Sequence, residues 1–189
     1  MKRILSLLLT VLFVFSLSSC AKGPELDEVK ERCEELILAS QRLQEIINGE
    51  GLPVNDTYLT GSDYWFVDTE KSEYDSIDEL SAAIDAVYED SYARNIKDIL
   101  FVGYNDAIGS LFPRFTEGDY GDLMQYKYGE MDLGEKTVFD FSAMEMVKSK
   151  PESFTVSIPA SYAGKTENMQ ITFSYDTSSG VWLLNSPIY

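Results

Sequence analysis

Histidine is absent from this sequence of 189 residues, and cysteine occurs only at positions 20 and 33. Without an imidazole, the chain cannot form a Ser-His-Asp or Cys-His nucleophile or a histidine-containing zinc site. Positive charge is also scarce, because 15 lysines and arginines stand against 32 aspartates and glutamates. Nucleic-acid binding needs cations that displace counterions from phosphates, so the composition disfavours that class of partner.

The N-terminus has the features of an export signal. A basic start at residues 1–3 precedes an apolar run over 4–17, which is shorter than the roughly 20 residues of a membrane-spanning helix. The run ends in Leu-Ser-Ser-Cys, which resembles a bacterial lipobox. We therefore expect a signal peptide over 1–19 and lipidation of Cys20, with the protein at the cell membrane, facing outside the cytoplasm. The alternative is a plain secretory signal in which Cys20 is incidental.

Removal of residues 1–19 leaves 13 basic and 32 acidic residues, a formal net charge of −19. This charge repels anionic lipid head groups and wall polymers, so a basic protein or substrate is the natural partner. The length fits one domain, over residues 26–189, behind a short tether at 20–25. With Cys20 lipidated, Cys33 has no disulfide partner, and its place on an apolar helical stripe predicts a buried thiol.

The first part of the domain has helical periodicity. Apolar residues at steps of three and four predict an amphipathic helix over 26–48, which ends at the glycines of 48–51. The aromatic segments 58–60 and 64–67 suggest a strand with a bulge or a small hairpin. Ser76 and Glu79 match a capping box, with Glu79 reaching back to the Ser76 amide. It begins a helical region over 77–102, with a break at 90–91.

After Gly103 the apolar residues alternate, as in half-buried antiparallel strands. This pattern predicts strands at 139–143, 154–158 and 171–175 and a last strand over 181–188. Turns are predicted between them because glycine, proline, serine and aspartate cluster there. The predicted fold is α+β: helical segments followed by a curled antiparallel meander in a single domain.

The stretch TEGDYGDLMQYKYGEMD, residues 116–132, contains five carboxylates and three tyrosines. As an enzyme site, it could use Asp119 and Asp122 as a carboxylate pair, as glycosidases do. Nothing in the local sequence makes the environments of the two residues differ, which acid-base catalysis requires. As a calcium loop, it could offer Glu117, Asp119 and Asp122, but Tyr120 and Gly121 break the spacing of an EF-hand.

Two other interpretations of the stretch remain open. Tyrosines and carboxylates together suit a surface that recognises a basic protein. A solvated hairpin would also alternate tyrosines with charges, and would place Tyr126 and Tyr128 on one side. The candidate partner-binding residues are Glu117, Gly118, Asp119, Tyr120, Gly121, Asp122, Tyr126 and Tyr128. We expect no catalytic residue, no metal ligand and no cofactor.

Three stretches carry a likeness to a known family: DYWFVDTEKSEYDSIDELSAAIDAVYEDSYARNI (63–96), PRFTEGDYGDL (113–123) and GVWLLNSPIY (180–189). Together they resemble the IseA/YoeB family of D,L-endopeptidase inhibitors over residues 55–189. The resemblance implies an exported, non-enzymatic protein that blocks the catalytic cleft of NlpC/P60-type peptidoglycan endopeptidases. It also implies an acidic surface with a mobile loop, here the loop over 118–122. We expect a monomer that binds a basic wall hydrolase.

A second resemblance leads to another function. Helices followed by a curved antiparallel sheet with a tryptophan in its last strand are similar to cystatin/NTF2-like domains. That fold would imply a pocket for a small ligand, or a surface for another envelope protein. The residues that would line the pocket are Trp65, Phe139, Phe141 and Trp182.

Overall fold

The computed structural model describes residues 22–55, 62–105, 111–128, 133–186 and 188. Within these ranges the helices are α1 (Leu26–Asn48), α2 (Ile77–Val87) and α3 (Asp90–Lys97), with a π-helical segment at Asp98–Val102 and a 3₁₀ helix at Phe141–Ala143. The strands are β1 (Tyr64–Phe66), β2 (Tyr104–Asn105), β3 (Leu111–Phe112), β4 (Phe115–Glu117), β5 (Leu123–Tyr126), β6 (Val138–Phe139), β7 (Glu145–Lys150), β8 (Ser153–Tyr162), β9 (Lys165–Asp176) and β10 (Val181–Leu184). The predicted α+β class is confirmed.

The described strands form three antiparallel sheets. A five-stranded sheet has the order β10-β9-β8, and both β6 and β7 pair with the far side of β8. A three-stranded sheet has the order β1-β5-β4, and β2 pairs with β3 alone. The longest ladder joins β8 to β9, from Ser153 opposite Ser174 to Tyr162 opposite Lys165. This curled ladder forms one wall of the core.

Helix α1 packs its apolar stripe into the same core and contacts α2 and β10. Its bounds match the prediction, and its core-facing side chains are Val29, Cys33, Leu36, Ile37, Ser40, Leu43, Ile46 and Ile47. At the first turn, the Glu28 carboxylate accepts the Glu25 N–H at 2.9 Å. Two acidic residues in that turn also interact favourably with the helix dipole. The one polar member of the stripe, Ser40, is satisfied by the Tyr88 hydroxyl at 2.8 Å.

The second helical region differs from the prediction in two details. The Ser76 side chain accepts the Glu79 N–H as predicted, but the Glu79 carboxylate binds the Asp75 N–H rather than that of Ser76. The break lies at Tyr88 and Glu89, not at 90–91, because Tyr88 forms a parallel bridge with Leu184 and the Glu89 N–H donates to the Leu184 carbonyl. A long-range contact with β10 therefore decides where α2 ends.

The strands also depart from the predicted pattern. Strands β8 and β9 are longer than predicted, and β7 and the start of β9 occupy parts of predicted turns. Phe139 belongs to β6, but Phe141 and Ala143 lie in a 3₁₀ helix, whose first turn is capped by the Asp140 side chain. The alternation of apolar residues over 139–143 predicted a strand, but the same spacing also fits this short helix. The last strand ends at Leu184 instead of continuing to 188. The predicted strand at 58–60 lies outside the described residues.

Segment 49–52 joins α1 to the three-stranded sheet. The buried Gln125 side chain accepts the Leu52 N–H at 2.7 Å and donates to the Glu50 carbonyl at 3.2 Å. Gly51 has φ +87°, and a Cβ atom there would overlap the Gln125 amide. The segment therefore needs a glycine both for its backbone angle and for the close approach of Gln125.

None of the helices in the described ranges has the length and apolar character needed to cross a bilayer. The proposed signal peptide and Cys20 lie outside the described residues.

We predict that Gly51→Ala destabilises the domain more than Gly164→Ala does. Both glycines have positive φ, but a Cβ at Gly164 would meet nothing within 4 Å. Backbone strain should cost about 1–2 kcal/mol in each variant, and the displaced Gln125 bonds should add roughly 1–3 kcal/mol in Gly51→Ala. Urea unfolding of both variants measures the difference. Equal losses would show that the Gln125 contact contributes nothing.

Candidate functional site

The acidic stretch forms a tight β-hairpin between β4 and β5. The Gly118 N–H donates to the Asp122 carbonyl at 2.8 Å, and the Gly121 N–H donates to the Gly118 carbonyl at 3.0 Å. Gly121 has φ +83°. A turn followed by a residue of positive φ is typical of a three-residue hairpin connection, and glycine suits that last position. The two glycines of the motif thus shape a short, hydrogen-bonded tip.

The tip presents an aromatic ring surrounded by carboxylates. The Tyr120 side chain is 95% exposed, and Glu117, Asp119 and Asp122 are all exposed. Within the described part of the chain, none of these three carboxylates has a hydrogen bond or ion pair. Their charge is therefore not offset by a neighbouring cation. Tyrosine is enriched in the buried centre of protein interfaces, and carboxylates suit the polar rim around it.

The base of the hairpin is fixed to α1 by a buried cation. Arg114 is 7% exposed, and its guanidinium donates to the Gly49 carbonyl at 2.8 Å and to the Tyr126 carbonyl at 3.2 Å. With the Gln125 bonds to segment 49–52, this ties both strands of the hairpin to the end of α1. A binding element that is held in place before contact loses less entropy on binding.

The other two candidate tyrosines lie at the opposite end of the hairpin from the tip. Tyr126 is four residues from Asp122 along β5, a separation of about 14 Å in an extended strand. Its ring packs with Tyr64 at 5.4 Å, Phe112 at 5.3 Å and Tyr128 at 5.6 Å between ring centroids. Tyr126 and Tyr128 do contact each other as expected, but in an aromatic cluster at the base. The structure therefore divides the candidate residues into two groups.

The geometry of the tip supports neither a catalytic carboxylate pair nor a calcium loop. Asp119 and Asp122 are both exposed to solvent rather than enclosed among other side chains. The described residues contain no group of three acidic or cysteine side chains arranged to hold a metal ion. What the tip offers chemically is attraction for cations and an aromatic surface for contact.

Of the aromatic residues that would line a cystatin/NTF2-like pocket, Phe139 and Phe141 contact each other with ring centroids 6.0 Å apart, and the others lie elsewhere. Trp65 belongs to the three-stranded sheet, where the Lys127 ammonium lies 5.7 Å from its ring centroid. Phe139 and Trp182 lie in strands on opposite sides of the five-stranded sheet. Trp182 packs on Phe154 and Tyr175, with centroids 4.7 and 4.9 Å apart. Phe139, Phe141 and Trp182 therefore belong to the core or pack against it, whereas Trp65 does not.

Sequence reasoning missed the residues that hold the hairpin. Gln125 lies between apolar neighbours in the short strand β5, Arg114 directly precedes β4, and both are at most 7% exposed. Such a position would ordinarily suggest an outward-facing side chain. A signal was present in Gly49 and Gly51, because a glycine can mark a close approach of another chain segment. Their partner could not be identified from spacing.

The thiol of Cys33 is buried, as predicted, with no exposed surface. Loss of hydration raises the pKa of this thiol to about 12. The neutral form is therefore strongly favoured in the folded protein, which makes Cys33 a packing residue and a poor nucleophile.

The likeness to the IseA/YoeB family rests on the three sequence stretches named above, of which the last extends past the described residues. A search of this chain against models of protein families found no match, and a search of curated proteins found none either. Membership of that family therefore stays a prediction.

We predict that alkali weakens the fold through Cys33. In the unfolded chain the thiol ionises near its ordinary pKa of 9.0, whereas in the folded protein it stays neutral to about 12. The unfolded state then binds fewer protons, so the free energy of unfolding should fall by up to about 1.4 kcal/mol per pH unit above pH 9. Unfolding of wild type and Cys33→Ala between pH 8 and 11 isolates this slope. Parallel curves would contradict it.

Proposed function

We propose that this protein is a lipid-anchored, non-enzymatic protein of the bacterial cell envelope. On this proposal it binds and inhibits a peptidoglycan D,L-endopeptidase of the NlpC/P60 type. The β4–β5 hairpin tip, with Glu117, Asp119, Tyr120 and Asp122, makes the central contact. The enzyme class comes from the resemblance of residues 55–189, and the mode of contact comes from the geometry of the tip.

The observation that carries the proposal is the 95% exposed Tyr120 among three carboxylates without partners. A tyrosine at the centre of an interface can supply a large share of the binding energy, because it buries much surface at little entropic cost. When the complex forms, the partner would bury this ring and remove its apolar surface from water, which favours binding. The carboxylates would guide the approach to a basic cleft and fix the orientation.

Inhibition by this route needs no chemistry from the inhibitor. A hairpin of this width can occupy a substrate cleft, and the contacts of Arg114 and Gln125 hold it in position. The charge of −19 on the mature chain raises the rate of encounter with a basic hydrolase at low ionic strength. The same charge keeps the domain away from anionic wall polymers.

We predict that Tyr120→Ala weakens binding to the sensitive endopeptidase by roughly 30-fold, which is the loss of about 2 kcal/mol expected for a central tyrosine. The matched control is Tyr162→Ala, because Tyr162 is 50% exposed on the β8–β9 ladder, away from the hairpin. Calorimetry with a panel of purified NlpC/P60 enzymes measures affinity, and digestion of peptidoglycan measures inhibition. If no enzyme of the panel binds or is inhibited, the proposed partner class is wrong.

We also predict that Asp119→Asn with Asp122→Asn weakens the complex about tenfold at low salt and much less at high salt, because salt screens the lost attraction. Glu152→Gln with Glu167→Gln changes the net charge equally but alters exposed residues outside the hairpin. An equal effect of both pairs would show that total charge, rather than the tip, determines affinity.

Lipid anchoring gives a further prediction. Cys20→Ser removes the sulfur that would carry the lipid, so the protein should move from the membrane fraction to the soluble fraction. Cell fractionation and the intact mass of the wild-type mature chain check this expectation. An unmodified Cys20, or membrane association that survives the substitution, would refute the anchor and leave the hairpin proposal to its own test.

A further inference from the structure

The start of the described chain contacts strand β7. We call this contact, of Gly23 and Pro24 with Ser149 and Lys150, the seat. The Ser149 hydroxyl donates to the Pro24 carbonyl at 2.8 Å. A Cβ at Gly23 would overlap Ser149 Oγ and the backbone of Lys150, so chain and strand are in close contact. The segment that leads back to Cys20 therefore leaves the domain at the end of β7.

The distance from this seat to the expected lipid is short. Gly23 is three positions after Cys20, with two residues between them. Even when fully extended, these three steps along the chain span only about 10 Å. The surface potential of an anionic membrane decays over a Debye length, which is also about 8–10 Å at physiological ionic strength. With Cys20 in a lipid anchor, the end of β7 lies within reach of that potential.

Two lysines flank Ser149 in β7, on the opposite face of the strand from the Ser149 hydroxyl that binds Pro24. Lys148 and Lys150 are exposed, and they pair with Thr155 and Ser153 on the face of the sheet that points away from the core. Among the described residues neither lysine has an ion pair or hydrogen bond of its side chain.

The carboxylates nearest to the tether do not cancel these two charges by direct contact. Glu25 forms an ion pair with Lys22, and Glu28 accepts the Glu25 N–H of the helix start. Asp27 is exposed in the same first turn, and Glu145 and Glu152 flank β7 in the sequence. Only Lys148 and Lys150 at this edge are cations without a local partner in the part of the chain that the structure describes.

The net charge is distributed very unevenly along the chain. Residues 138–184, which form β6 to β10, contain five acidic and three basic residues, a net charge of −2. Residues 20–137 contain 27 acidic and ten basic residues, a net charge of −17. The strands β6 to β10 are thus nearly neutral, whereas the start of α1 beside the seat is acidic, with six acidic and two basic residues over 25–35.

We propose that the edge of β7 around Lys148 and Lys150 faces the membrane that holds the Cys20 lipid, and that these two lysines contact its anionic phosphate head groups. This inference rests on the lipid anchor of the proposed function, but not on the identity of the hydrolase. The orientation brings the nearly neutral strands β6 to β10 to the bilayer.

Lysine acetylation tests the orientation without a change to the sequence. The lipoprotein is reconstituted into vesicles of phosphatidylcholine alone or with phosphatidylglycerol, and is acetylated with a water-soluble ester. Lys148 and Lys150 should react about fivefold more slowly on the anionic vesicles, since one lysine near such a surface gains about 1 kcal/mol. Lys165 is the internal control, because it lies at the other end of the β8–β9 ladder, roughly 30 Å away. Mass spectrometry gives the rate for each lysine.

A pair of variants sharpens the test. In wild type, Lys22 should also react more slowly on the anionic vesicles, and in Lys148→Gln with Lys150→Gln this difference between the two kinds of vesicle should shrink. In Lys165→Gln that difference should persist. Equal acetylation of Lys148, Lys150 and Lys165 on both kinds of vesicle would overturn the proposal, as would selective protection of Lys165.

A second experiment tests the proposed orientation without relying on lipidation of Cys20 by the cell. The mature chain, starting at Cys20, is coupled through the Cys20 thiol to a maleimide lipid in the same vesicles, while buried Cys33 stays unreactive. The same protection pattern supports the membrane-facing edge whatever modification the cell performs. If the protection pattern is absent in the coupled protein, the proposal that the β7 edge faces the membrane is wrong. The fractionation of Cys20→Ser tests only the lipid anchor.

Discussion

The contact on which the arrangement of the site depends is the clamp between α1 and the β4–β5 hairpin. Buried Gln125 binds backbone groups of Leu52 and Glu50, and buried Arg114 binds the Gly49 carbonyl. Polar groups that are buried must be satisfied, so these side chains fix the hairpin in one position relative to the helix. Without the clamp, a strand of three residues and one of four would be too short to hold an exposed tip.

Different residues of the hairpin stabilise the fold and are available to bind a partner. On the core side, Phe115 and Leu123 are fully buried together with Gln125, and they bind the hairpin to the domain. At the tip, Tyr120 and its neighbouring carboxylates contribute little to the fold, since they contact almost nothing within the described structure. Substitution of these side chains should therefore change the free energy of unfolding very little. The sequence at the tip can then vary to fit a partner.

The negative charge is distributed unevenly along the sequence. Residues 138–184, which form β6 to β10, carry a net charge of −2, whereas residues 20–137 carry −17. Strand β7 belongs to the nearly neutral part and binds the start of the described chain at Pro24. On the proposal that this edge faces the membrane, a nearly neutral sheet is the part that contacts the bilayer.

The sequence by itself determined α1, the α+β class, the burial of Cys33 and the exposed tip, because each follows from local periodicity or from glycines in a turn. Only the tertiary structure decided the rest. The end of α2 depends on the bridge of Tyr88 to Leu184, 96 residues away, and the 3₁₀ helix at 141–143 shared its apolar spacing with a strand. Tyr126 was separated from the tip because strand geometry, rather than composition, sets distance along a hairpin. The clamp residues Arg114 and Gln125 have partners more than 60 residues away, so no local pattern could reveal them.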